Sequence, residues 1–85
     1  MTIVLEETPV AEPIQIGILL YPNVTQLDAT GPAQVLARVP GAVLHMIWKT
    51  LDPVPTDAGF SIVPTTTFVD CPKLDVTCVP GGGGQ

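Results

Sequence analysis

Few residues of this chain are of a type and spacing that could do chemistry. Asp28 closes a Thr25-x-x-Asp28 pattern, and four consecutive glycines beginning with Gly81 and Gly82 follow an apolar run that ends at Pro80. A glycine run lets backbone approach a ligand closely and leaves N–H groups to bind an anion or a developing oxyanion. An acid beside such a cradle can give or take a proton, with its pKa open to adjustment by burial. Each feature also has a plainer role. Thr-x-x-Asp is a form of the helix-capping box, and glycines after a strand make turns. They form no phosphate loop, because no Gly-Lys-Ser/Thr follows. The two cysteines, Cys71 and Cys78, lie seven apart without a CxxC pair, and His45 is the single histidine, so a disulfide framework and a zinc site both lack ligands. Cys78, inside an apolar run, reads as a small core hydrophobe. Cys71 precedes Pro72 in a turn with no neighbouring base or positive charge to activate it. His45 reads as a packed or hydrogen-bonded core histidine and Trp48 as core or interface volume.

These residues need elements to position them. Residues 15–20 (QIGILL) are apolar on both faces, the pattern of a strand buried on both sides of a parallel sheet. Leu27, Val35, Leu36 and Val39 fall at helical spacing, and Pro40-Gly41 stops that segment. Thr25 and Asp28 suggest a start near Thr25, with a kink where Pro32 offers no N–H to the Asp28 carbonyl. The competing start is at Pro32, a good first-turn residue. Residues 42–48 (AVLHMIW) give a second strand, parallel to the first through a right-handed crossover. Residues 52–59 read as loop, residues 60–63 and 66–69 as a short edge hairpin around Pro64-Thr65, and residues 74–79 as a further strand. If the first and last of these strands are parallel, Asp28 and the glycines open at the same sheet edge, where α/β sheets bind ligands. Residues 1–13, with Glu6, Glu7, Glu12 and two prolines, read as a mobile acidic leader.

Composition bounds the rest. Eighty-five residues make one domain or a piece of one, and 46% apolar residues make it globular. Three basic residues against eight acidic ones give a net charge of −5. That balance argues against nucleic acid and against an anionic membrane surface. The longest apolar stretch, residues 16–21, is far short of the ~20 residues that span a bilayer. No Lys or Arg precedes Arg38, so the basic start of a secretory signal is missing, and the cysteine usage fits a reducing, cytoplasmic compartment. A sheet apolar on both faces needs helices on both faces, and the pattern offers one helix. The chain therefore reads as the amino-terminal part of a larger α/β unit, completed by a continuation or a second chain.

IGILLYPNVTQLDATGPAQVL, then HMIWK, then TTTFVDCPKLDVTCVPGG together resemble the amino-terminal part of the DJ-1/PfpI superfamily, in the branch that holds the isonitrile (isocyanide) hydratases. The likeness runs over residues 14–82. It implies a flavodoxin-like α/β sandwich with a mainly parallel sheet, assembled as a homodimer with the helix near Asp28 close to the interface. The implied activity adds water to an isonitrile to give an N-substituted formamide, through a cysteine nucleophile and without metal or organic cofactor. Asp28 matches the acid that handles the nucleophile's proton. Gly81 and Gly82 match the PGG segment whose backbone lines the pocket. The family's nucleophile lies on an elbow well beyond PGG, outside these 85 residues. Neither Cys71 nor Cys78 inherits that role, so the chain by itself is expected to be inactive. Two other classes fit the same residues: a ligand-sensing domain of an amidotransferase-like transcription regulator, and a non-catalytic interaction module. A basic helix-turn-helix continuation would identify the regulator.

Overall fold

A computed structural model describes Thr2–Leu5 and residues 13–82. In chain order the elements are β1 (Thr2–Leu5), β2 (Ile14–Leu19), α1 (Gln26–Leu36), β3 (Ala42–Trp48), β4 (Val54–Pro55), β5 (Ser61–Ile62), β6 (Thr66–Thr67) and β7 (Val76–Val79). Five strands form one sheet in the order β1-β7-β2-β3-β6, and β4 pairs with β5 in a separate ribbon. The two apolar runs do pair in parallel, with Ile14 opposite Ala42 and Leu19 opposite Ile47. On the other side of β2, β7 also runs parallel, with Ile18 opposite Cys78. The fold is thus mixed α/β with a mainly parallel sheet.

Strand side chains alternate between faces, and residues in register share one. Ile16, Ile18, Leu44, Met46 and Cys78 therefore fall on the face that α1 covers. The core there gathers Ile18, Leu20, Tyr21, Val24, Ala29, Met46, Val54 and Cys78, with Ala33 packed against it. Ala29 and Ala33 are small, which lets the helix sit close to the sheet. The opposite face holds Gly17, His45 and Ile47. His45 Nε2 and Gln15 Oε1 share a hydrogen bond of 2.7 Å there, in a half-buried setting. The segment before β7 lays Leu74 across Gly17, leaving no room there for a Cβ. Among the described residues α1 is the only helix, and none is long and apolar enough to cross a membrane.

Three expectations meet the structure. First, the start near Thr25 holds: α1 begins at Gln26 and runs through Pro32, so the competing start at Pro32 is excluded. Second, residues 60–63 and 66–69 do not form a hairpin with each other. Ser61–Ile62 turns back on Val54–Pro55, inside the stretch read as loop. The turn is closed by Thr56, whose N–H and Oγ1 both donate to the Phe60 carbonyl, and Gly59 takes the positive φ of +85° that such a turn requires. Thr66–Thr67 joins the main sheet instead, parallel to β3. Thr65 steers it there: its N–H donates to the Met46 carbonyl and its Oγ1 accepts the Met46 N–H, both at 2.8 Å. Third, Thr2–Leu5, placed in the acidic leader, is an edge strand antiparallel to β7. Met1 and residues 6–12 of that leader lie outside the described residues, as do Gly83 and Gly84.

Candidate active site at the carboxyl edge of the sheet

Because β2 and β7 are parallel, the chain leaves both at the same edge. After β2 it turns through Asn23, which takes a positive φ of +66°, a conformation asparagine tolerates. It then passes Val24 and enters α1. After β7 it passes buried Pro80 and runs against residues 23–25. The Thr25 N–H donates to the Gly81 carbonyl at 2.9 Å, and Val24 and Gly82 pair as an antiparallel bridge. The approach is close enough to demand glycine. A Cβ on Gly82 would lie 2.8 Å from Asn23 O, Thr25 N and Val24 Cα, all backbone atoms. A Cβ on Gly81 would lie 3.1 Å from Asp28 Oδ2. The acid and the glycines singled out in the sequence therefore meet.

The capping box does not form. Thr25 is the N-cap of α1 but its side chain makes no capping hydrogen bond. The N–H that Asp28 would take in such a box, that of Thr25, belongs to the Gly81 carbonyl. The first helical amide, Gln26 N–H, donates to Asp57 Oδ1 at 2.9 Å. Among the described residues the Asp28 carboxylate has no hydrogen-bond partner, and neither the Gly81 nor the Gly82 N–H donates one. Among the described residues, an acid and two amide donors thus stand together without hydrogen-bond partners. Chemically, such a group can hold a proton at Oδ2 and stabilise negative charge developing nearby.

Tyr21 ties the two strands' ends together. Its ring is buried, and its hydroxyl donates to the Pro80 carbonyl at 2.5 Å, immediately before the glycines. Burial, and secondarily the negative charge of Asp28, push the Tyr21 phenol above its ordinary pKa, so it remains a donor at neutral pH. Burial also pushes up the Cys78 thiol, with the Asp28 charge adding in the same direction. Burial raises Cys71 as well, and its Sγ contacts the Pro72 carbonyl at 3.3 Å. A reactive cysteine needs the opposite shift, toward thiolate. Neither thiol is prepared to act as a nucleophile, in keeping with the structural roles read from their sequence positions.

Two contributors escaped the sequence reading. Tyr21 stands in the sequence at the end of an apolar run and within the stretch that carries the family resemblance, and only its pairing with Pro80 reveals its part. Asp57 lies in a turn-type sequence, Asp57-Ala58-Gly59, and its link to Gln26 spans 31 residues.

No protein-family model matches the chain. The isonitrile hydratase of Pseudomonas putida is 58% identical over 71 residues, which are 84% of this chain and 31% of that protein. A ThiJ/PfpI family protein from Pseudomonas syringae superposes with a TM-score of 0.79 at 39% identity, covering 92% of this chain and 37% of its own. A DJ-1 superfamily protein from Agrobacterium tumefaciens has a TM-score of 0.68 over 85% of this chain and 42% of its own, and at 19% identity its likeness speaks for the fold alone. The chain spans about a third of the length of the first two relatives.

Proposed function

The chain belongs to the DJ-1/PfpI superfamily, and on that premise we propose that it supplies part of the active site of an isonitrile hydratase, a lyase acting through a cysteine that lies outside these 85 residues. The observation that carries this reading is the meeting of the Asp28 carboxylate with the Gly81–Gly82 backbone, in a chain 58% identical over 71 residues to an isonitrile hydratase. In the proposed reaction a thiolate adds to the terminal carbon of R–NC, and that carbon takes a proton to give the thioimidate R–N=CH–S–Cys. Water then adds to the same carbon, the C–S bond breaks, and R–NH–CHO leaves with the thiol restored. Asp28 takes the thiol proton, returns it to the substrate carbon, and assists the water. The Gly81 and Gly82 N–H groups offset negative charge that develops when water adds.

This role is consistent with the tertiary contacts that release Asp28 from helix capping. The homodimer belongs to the same proposal. Leu27 and Val35 lie two helical turns apart on one stripe of α1 and are 69% and 67% exposed, an apolar strip suited to a second copy. The test is Asp28→Asn in the complete, cysteine-bearing protein. Formamide production should fall by about 10²–10⁴-fold, the usual contribution of a positioned acid–base group, with the fold retained. Near-normal turnover would reduce Asp28 to a surface residue of the helix.

A further inference from the structure

We infer that Asp57 is a positioning residue for Asp28, an inference that rests on the proposed hydratase reading. Asp57 sits at the turn of the β4–β5 ribbon and holds the segment leading into α1 through two bonds of its own. Its Oδ1 accepts the Gln26 N–H at 2.9 Å, and its N–H donates to the Val24 carbonyl at 3.0 Å. The same ribbon takes the Asn23 N–H on the Pro55 carbonyl at 2.9 Å, and Thr56 pairs with Val24 as a parallel bridge. From the other side the Gly81 carbonyl takes the Thr25 N–H. Residues 23–26 are thus strapped between the ribbon and the glycine segment.

This strap decides what Asp28 can do. The Thr25-x-x-Asp28 pattern offers a purely local alternative, in which Asp28 folds back onto the start of its own helix. A carboxylate near the amino end of a helix is favoured by the exposed N–H groups and by the helix dipole. Asp57 supplies an acceptor there from a different element. Asp28 is left free to face Gly81. Removing the Asp57 side chain vacates the Gln26 N–H and loosens residues 23–26, and Asp28 is the nearest carboxylate in sequence.

The test compares Asp57→Ala with Asp57→Asn in the complete cysteine-bearing protein, following turnover of an alkyl isonitrile and the NMR resonance of the Asp28 carboxyl carbon. Asp57→Ala should lower kcat by about tenfold, short of the ~100-fold that a full 1 Å misplacement brings, and leave KM within about twofold. Asp57→Asn keeps a side-chain oxygen for the Gln26 N–H, so it should restore kcat to within about threefold. The Asp28 resonance should move in Asp57→Ala and return in Asp57→Asn, and the Gln26 amide should exchange faster only in the alanine variant. An Asp28 signal unmoved in Asp57→Ala overturns the inference, whatever the activity. Equal losses in both variants overturn it too, since charge and not the hydrogen bond would then be responsible. Wild-type protein that turns over no isonitrile instead defeats the hydratase reading, and the Asp28 resonance still decides the role of Asp57.

Discussion

The carboxyl edge of the sheet and the segment around β6 differ in how much they enclose. At the edge, backbone meets backbone: Thr25 on Gly81, Val24 against Gly82, Asn23 on Pro55, with Val24 and Pro80 buried and Tyr21 bonded across the gap. Around β6 the anchors are short and the apolar side chains face outward. Phe60, Val63 and Phe68 are exposed, and Val69 is 91% exposed. Phe68 does lean on Trp48, with ring centroids 6.4 Å apart, and Lys49 Nζ lies 5.4 Å from the Trp48 ring centroid, but these contacts enclose little. Apolar composition therefore does not locate the buried part of this molecule: Val24 and Pro80 are enclosed where several backbone segments converge, while Val69 is left outside.

The contrast is sharpest for Gly82→Ala. Its new methyl would press on three backbone atoms at 2.8 Å, none of which can rotate away. We expect a loss of about 3 kcal/mol, the upper part of the range for overpacking, visible as a lowered midpoint in urea. A near-neutral result would mean that the edge is as pliable as the β6 side. Tyr21→Phe comes next. It leaves the buried Pro80 carbonyl without its partner and should cost about 1–2 kcal/mol by the same measurement.

Tyr21 and Cys78 also make the edge sensitive to alkali. Both have folded pKa values raised by burial. Each favours the folded state fully below its unfolded pKa, ~8.5 for a thiol and ~10 for a phenol, and that contribution is lost as pH rises through the folded value. Stability should therefore decline above about pH 9, and Tyr21→Phe should flatten the part of the decline beyond pH ~10. Denaturation curves from pH 8 to 11 check this, and an identical slope in the variant would contradict it. Gly81→Ala touches only the Asp28 carboxylate, at 3.1 Å, so it should cost under about 1 kcal/mol of stability while lowering isonitrile turnover. Smallest of all is Val69→Ser, which should change stability by no more than about 0.5 kcal/mol, as expected of an exposed position.

What could be read from residue order alone follows the same division. Long apolar runs announced β2, β3 and β7, and helical spacing announced α1, because each carries its own pattern over several residues. The parallel alignment of the first and last of those runs was enough to bring Asp28 to Gly81. The two-residue strands β4, β5 and β6 carry no such pattern. Their pairing is chosen by the Thr56–Phe60 turn and by Thr65 reaching Met46, contacts made only after the chain has folded. The capping box failed for a related reason. Thr25-x-x-Asp28 is a valid local signal, but Gly81, distant in sequence, claims the Thr25 amide it depends on. The strand β1 lies in a stretch whose glutamates and prolines resemble a tail, and its partner is β7, at the far end of the chain.

In the proposed function these residues provide the acid and the amide-lined nook of a hydratase while the attacking sulfur lies elsewhere. Incubating the 85-residue chain with an alkyl isonitrile and quantifying the N-alkyl formamide tests it most directly. No turnover above that of buffer is expected, and Cys71→Ser or Cys78→Ser should leave that unaltered. Formamide produced at the rate of a complete enzyme, and abolished by either of those substitutions, would contradict it.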